Sequence, residues 1–256
     1  MLILLSPAKS LDYESKFTCE NFTIPHFAKE TEKLALALKK ISISEIEKMM
    51  GVSKKLAELN FERFKNFDKE FSLKNSRQAL LAFDGDVYGE IDKANFSKKD
   101  FEFSQKHVRI LSGFYGLLKP LDLIQPYRLE MGCELKKSTL AKNLSVKNLY
   151  EFWEDKIAKY IDEESEKFVV NLASEEYFAA INPKKISKKV INISFKEKKG
   201  DVLKVIGINA KKARGMMTNF AVKNKISNPQ ELKEFSQSKY SFEKKLSDES
   251  NFVFTR

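Results

Sequence analysis

Ser6 and Lys9 stand three residues apart in "SPAKSLD", just past the apolar run at residues 2–5. A serine beside a lysine can form a nucleophile and its base, and α/β sheets place ligand loops where strands end. The same residues, with Ser10 and Asp12, also fit an ordinary polar strand exit. "FDGDVYGE" gathers Asp84, Asp86 and Glu90 around two glycines. Carboxylates in such number can meet a divalent cation through oxygen, but the spacing is not that of a twelve-residue calcium loop. A turn whose aspartates bond nearby amides fits better, and no metal site or cofactor is expected.

A third stretch, "RILSGFYGLLKPLDLIQPYRLEMG", holds Ser112, Tyr115, Tyr127, Arg128 and Glu130 among prolines and glycines. Pro120 and Pro126 fix local backbone angles, while Gly113, Gly116 and Gly132 allow conformations that other residues avoid. A loop so constrained can present polar groups with little entropy left to lose. Arg128 offers a planar fork for a phosphate or carboxylate, although an Arg128–Glu130 pair can equally tie the loop to itself. "NLASEEYF" places Asn171, Ser174, Glu175, Glu176 and Tyr177 after an apolar run. "NAKKARGMM" places Lys211, Lys212 and Arg214 at an expected helix start, where free amides attract anions.

Two histidines, His26 and His107, leave no basis for a histidine metal site or triad. The chain carries no Walker loop and no dinucleotide fingerprint. Any catalysis therefore falls to carboxylate, lysine, serine or tyrosine, with Lys9, Glu130 and Glu176 as candidates.

Elements must position these groups. Residues 2–5 read as a buried strand, 26–40 as an amphipathic helix, and 167–174 as a second buried strand. Helices are expected from about Ser76, from Ser97 to Gly113, and unbroken through "VKNLYEFWEDKIAKYIDEES". "KVINISFKE" and "VLKVIGINA" form a hairpin around "KKGD", followed by a helix from Ala213. "NFVFTR" adds a last edge strand. The mixture has no regular alternation, so the expected fold is a single α/β domain over residues 1–256, a mixed sheet surrounded by helices.

"SISEIEKMMGVSKKLAELNFERFKNF" reads as two short helices split at Gly51, with Ser42 and Glu45 as a capping box and Ser53 capping the second. This region, about 42–66, resembles a helix-hairpin-helix, whose backbone amides meet DNA phosphates without reading sequence. Gly51, Ser53, Lys54 and Lys55 are the candidate contacts. An ordinary helical hairpin fits as well, since serine replaces the usual second glycine.

The chain has 256 residues, a formal net charge of +10, 42% hydrophobic and 32% charged residues, and 21 Phe against one Trp. These proportions allow one sizeable, aromatic-rich core. The positive balance favours an anionic partner. The opening apolar run is too short for a signal peptide or a membrane span. Cys19 and Cys133 fit no metal spacing, which reads as reduced thiols in the cytoplasm.

In order, "LLSPAKSLDY", "FDGDVYGE", "RILSGFYGLLKPLDLIQPYRLEMG", "LYEFW", "NLASEEYF" and "AKKARGMM" resemble the YaaA family of peroxide stress response proteins. The resemblance implies a cytosolic protein that limits free intracellular iron during peroxide stress and binds DNA. It implies a compact α/β fold with a helix-hairpin-helix and a basic cleft, in which a base extruded from duplex DNA is a candidate ligand. The matching cleft positions are Ser6, Lys9, Asp86, Tyr88, Ser112, Tyr115, Tyr127, Arg128, Glu130, Asn171, Ser174, Glu176, Tyr177, Lys211, Lys212 and Arg214. The leading expectation is thus a monomeric protein that binds double-stranded DNA, with Tyr115 or Tyr127 stacking on a flipped base and Arg128 on the backbone. An N-glycosidase-like hydrolase acting on a nucleobase or nucleotide is the alternative. Iron held by Asp84, Asp86 and Glu90 is a third.

Overall fold

In the computed structural model, which describes residues 1–17, 19–136 and 138–256, the apolar run at the start is the centre of the sheet. Strand β1 (Leu2–Leu5) is buried along its whole length. It lies between two parallel neighbours, β2 (Val108–Ser112) and β4 (Phe168–Asn171). Strand β3 (Gly116–Leu118) returns antiparallel on β2. On the other side β5 (Lys189–Lys199) runs parallel to β4. The hairpin strand β6 (Val202–Lys204) folds back on β5, while β7 (Ser241–Phe242) pairs with β8 (Asn251–Thr255).

The sheet order is β7-β8-β5-β4-β1-β2-β3, with β6 beside β5, a mixed eight-stranded sheet in a single compact α/β domain. Its five central strands are parallel. Such strands are buried on both faces and read as continuous apolar runs. From β1 the sheet continues towards β2 on one side; from β4 it continues towards β5 on the other. The ends of β1 and β4 therefore flank a topological switch point, where open α/β sheets leave a crevice.

Around the sheet lie α1 (Ala28–Leu38), α2 (Ile43–Met50), α3 (Lys54–Lys65) and α4 (Lys98–His107). They are followed by α5 (Leu149–Trp153), α6 (Lys156–Glu164), α7 (Glu175–Ala179) and α8 (Gly207–Lys223). The aromatic interior is real: Phe114 stacks on Tyr127 with centroids 5.2 Å apart and meets Phe67 and Tyr115 edge-on. Among the described residues no helix is long and apolar enough to cross a membrane.

Several elements differ from the sequence reading. The expected helix from Ser97 to Gly113 ends at His107, and Val108–Ser112 is β2. Pairing with β1 overrides the helical pattern there. Arg109, buried in that strand, meets Glu164 and the carbonyls of Gln105 and Val108 through its terminal nitrogens, while its Nε has no partner. The long helix expected before residue 166 breaks at Glu154, whose φ is +44°. The break lets Trp153 turn fully inward and donate its indole N–H to the Gly113 carbonyl at 3.0 Å. A positive φ at a residue with Cβ costs on the order of 1–3 kcal/mol, which burial of an indole can offset.

The helix expected from Ser76 is only Ala79–Ala82, between two-residue strands Arg77–Gln78 and Phe83–Asp84. Strand β6 stops at Lys204, and α8 begins at Gly207, six residues before the expected start. Strand β8 is not an edge, because β7 covers it.

Candidate functional site

The crevice at the switch point is a cleft of about 470 Å³. The chemistry-bearing stretches reach it from separate parts of the chain, and specific contacts join them. After β1, Ser10–Leu11 pairs antiparallel with Phe83–Asp84, so "SPAKSLD" and "FDGDVYGE" meet edge to edge. The Tyr88 hydroxyl donates to the Ser6 carbonyl at 2.8 Å. After β4, the Ser174 amide donates to the Ser6 hydroxyl at 2.8 Å, and that hydroxyl donates on to Ser174 Oγ at 3.2 Å. This pair bridges the two strand ends.

The loop from Tyr127 to Gly132 forms the next wall. Gly113 lets it approach, since a Cβ there would stand 2.5 Å from the Leu129 carbonyl oxygen. Arg128 and Glu130 form an ion pair at 2.9 Å, and Glu130's other oxygen takes Lys9 at 2.9 Å. Glu176 accepts the Gly132 amide at 2.9 Å, tying this wall to α7. Helix α8 closes the ring, with Lys211 3.8 Å from Asp86 and Lys212 4.0 Å from Glu90. Gly215 permits this contact, because a Cβ would lie 2.0 Å from the Val87 carbonyl oxygen.

Of the expected site residues, Ser6, Lys9, Asp86, Tyr88, Tyr127, Arg128 and Glu130 line the cleft, as do Ser174, Glu176, Tyr177, Lys211 and Arg214. Three do not. Tyr115 is fully buried, its hydroxyl accepting from the Gln125 amide, behind the wall rather than in it. Asn171 donates to Asn192 and accepts from the Ala173 amide, bracing the turn that leads to Ser174. Lys212 lies beside the cleft on Glu90. Ser112, also behind the wall, bonds the Tyr127 hydroxyl at 2.7 Å.

Stacking on a flipped base is not available to the expected tyrosines. Tyr127 is packed between Phe114 and Tyr115, and Tyr88 and Tyr177 are no more than 7% exposed. Burial also raises the pKa of the Tyr88, Tyr127 and Tyr177 hydroxyls, which stay protonated. Among the apolar lining residues, the sequence reading missed Leu129 and Leu172. Their only signal is that each directly neighbours a polar site residue.

The cleft is not uniformly basic, contrary to the implication of the resemblance. Lys9, Arg128, Lys211 and Arg214 face Asp84, Asp86, Glu130 and Glu176, four charges of each sign. Lys211, Lys212 and Arg214 sit in the second turn of α8 rather than at its start. Helical amides there are already engaged, so only their side chains can grip an anion. Asp86 and Glu90 each turn to a lysine, and the three acids of "FDGDVYGE" do not converge. Among the described residues, no group of three or more His, Cys, Asp or Glu side chains is placed to hold a metal ion.

The Tyr127–Gly132 wall is followed in the chain by contacts to the α2–α3 hairpin. The Glu134 amide donates to the Met49 carbonyl at 3.2 Å, and the Thr139 amide donates to Glu45 at 3.0 Å. Gly51 adopts a left-handed conformation at φ +59° and closes α2. Glu45 completes the expected capping box with Ser42, and hydrogen bonds from the Ser42 and Thr139 amides pull its pKa down to about 2. The expected cap of α3 does not form: Ser53 makes no side-chain bond to the helix.

A larger cavity of about 940 Å³ opens at the start of β2. Its Arg109 and Lys119 are both paired with Glu164. The motif stretches converge on the cleft instead.

A family profile described as "Peroxide stress protein YaaA" matches residues 1–246. The chain belongs to the peroxide stress protein YaaA family. A UPF0246 protein of Acaryochloris marina is 45% identical over 258 residues, covering 100% of both chains. A UPF0246 protein of Burkholderia cenocepacia is 44% identical over 262 residues, covering 100% of this chain and 98% of that one. Membership in the YaaA family thus extends over the sheet, the hairpin and every wall of the cleft.

Proposed function

We propose that this peroxide stress protein binds double-stranded DNA as a cytoplasmic monomer and helps limit iron-driven oxidative damage to it. The observation that carries the reading is the contrast between the two hairpin helices. Helix α2 is closed by a capping box with an acid in its first turn; α3 has neither cap nor first-turn acid. Its first turn instead begins with exposed Lys54 and Lys55, after exposed Gly51 and Ser53. An uncapped helix start beside two cations suits a phosphate, and the net charge of +10 favours approach to a polyanion.

The cleft, whose Tyr127–Gly132 wall is followed by the contacts of Glu134 and Thr139 with the hairpin, would then receive a nucleotide drawn out of the duplex. Its mixed charge suits one nucleotide's donors and acceptors better than a run of phosphates. The hydrolase alternative gains nothing from Glu130, whose oxygens are held by Lys9 and Arg128.

Fluorescence anisotropy with duplex and bubble DNA over a salt series tests the reading. Affinity is expected to fall with salt, with a log–log slope of about −0.9 per phosphate neutralised. Replacing Lys54 and Lys55 together by Gln is expected to make that slope shallower by roughly one to two units. Affinity that stays flat with salt sinks the DNA reading.

A further inference from the structure

The cations of the cleft are not equivalent. Lys9 and Arg128 share Glu130, and Lys211 leans on Asp86. Arg214 has no carboxylate within ion-pair distance and no side-chain hydrogen bond among the described residues, and its Nε is buried without any partner. Burial lowers its pKa, and Glu175 opposes this only through space. A guanidinium remains charged even so. Arg214 is half-buried, and a cation so placed on a cleft wall without a carboxylate partner suits an incoming anion.

We infer that Arg214 is the receptor for a phosphate group carried by a single nucleotide-sized ligand in the cleft. The inference rests on the cleft's being the ligand site of the proposed function and names the chemistry it recognises. Three observations select phosphate over a singly charged group. Arg214 and Lys211 are three residues apart on α8 and so share one helix face. Lys211, 58% exposed and only 3.8 Å from Asp86, is loosely held and can turn to a second phosphate oxygen. Ser174 receives the Ser6 hydroxyl proton, which leaves its own hydroxyl proton to donate. The planar fork of Arg214 can meet two phosphate oxygens at once. The volume of about 470 Å³ lies within the range of small-molecule pockets, roughly 300–1,000 Å³.

Calorimetric titration of the full chain with thymidine 5′-monophosphate, thymidine and inorganic phosphate forms one arm. Binding to a duplex with one unpaired nucleotide forms the other. The monophosphate is expected to bind more tightly than thymidine, and Arg214→Gln to weaken it about ten- to hundredfold. If only the duplex binds, and Arg214→Gln weakens it, the phosphate is supplied by the DNA backbone and the inference stands. If the monophosphate binds through Arg214 while no DNA binds, the inference stands and the DNA reading fails. Wild-type protein that binds none of the phosphate probes overturns the inference. So does an Arg214→Gln variant that binds every probe as wild type does, even where DNA binding persists. Should Arg214→Gln fail to fold, Arg214→Lys keeps the charge without the fork; it is expected to lose several-fold in affinity, and unchanged affinity overturns the inference.

Discussion

Arg128 and Glu130 brace the wall of the cleft by pairing with each other, and Lys9 locks the pair to the loop after β1. Tyr127 is held from behind by Ser112. In the same segment Asp122 accepts from Thr23 Oγ1 at 2.6 Å and from the Lys119 amide at 2.7 Å. Burial nevertheless raises its pKa from 3.8 to about 6. An acid raised in the folded state holds its proton more tightly there, so its contribution to stability is present below pH 3.8 and is lost as pH rises through about 6. Asp122→Asn keeps an acceptor for the amide and removes the titration. Urea unfolding is expected to show the variant losing about 2–3 kcal/mol less between pH 4 and 7 than wild type; matching pH profiles would show that Asp122 ionises freely. Cys133 makes a second residue-scale case, since burial pushes its thiol up to about 12. It is expected to resist maleimide at pH 7 in the native protein and to react on unfolding. Peptide mass spectrometry reads this, and rapid native labelling would contradict it.

Helix α8 is positioned by one missing side chain. At Gly215 even a methyl group would sit 2.0 Å from a backbone oxygen of the "FDGDVYGE" turn. Gly215→Ala must therefore separate α8 from the turn that carries Asp86 and Tyr88. The expected cost is about 1–3 kcal/mol in urea unfolding, with weaker ligand binding in the cleft because Arg214 and Lys211 move with the helix. Unchanged stability and binding would show that the contact is not needed. At this scale sequence patterns are least secure. Val108–Ser112 continues a helical pattern, yet it becomes β2 because β1 offers it a parallel partner. Leu149–Trp153 and Lys156–Glu164 carry one continuous periodicity, yet Glu154 breaks it so that Trp153 can reach Gly113. In both places distant pairing or burial outweighs local propensity.

Across the whole molecule, the sheet order makes a site out of separate stretches. Ser6 and Ser174 are 168 residues apart in sequence and in contact through the switch point. The polar residues themselves were legible, as were the mixed sheet and the absence of a histidine or Walker site, because residue type and spacing are local properties. The family was legible too, since its motifs keep their order along the chain. Which groups line the cleft was not. Tyr115, Asn171 and Arg214 look equally available in sequence, but only Arg214 both lines the cleft and stands without a partner. The balance of charge in the cleft was equally hidden: a net +10 says nothing of where acids gather. The sequence by itself determined the chemistry present, the apolar strands and a net charge of +10. Tertiary structure alone decided which cleft cations pair with neighbouring carboxylates and that Arg214 does not, because ion pairing depends on distances that only the folded sheet sets.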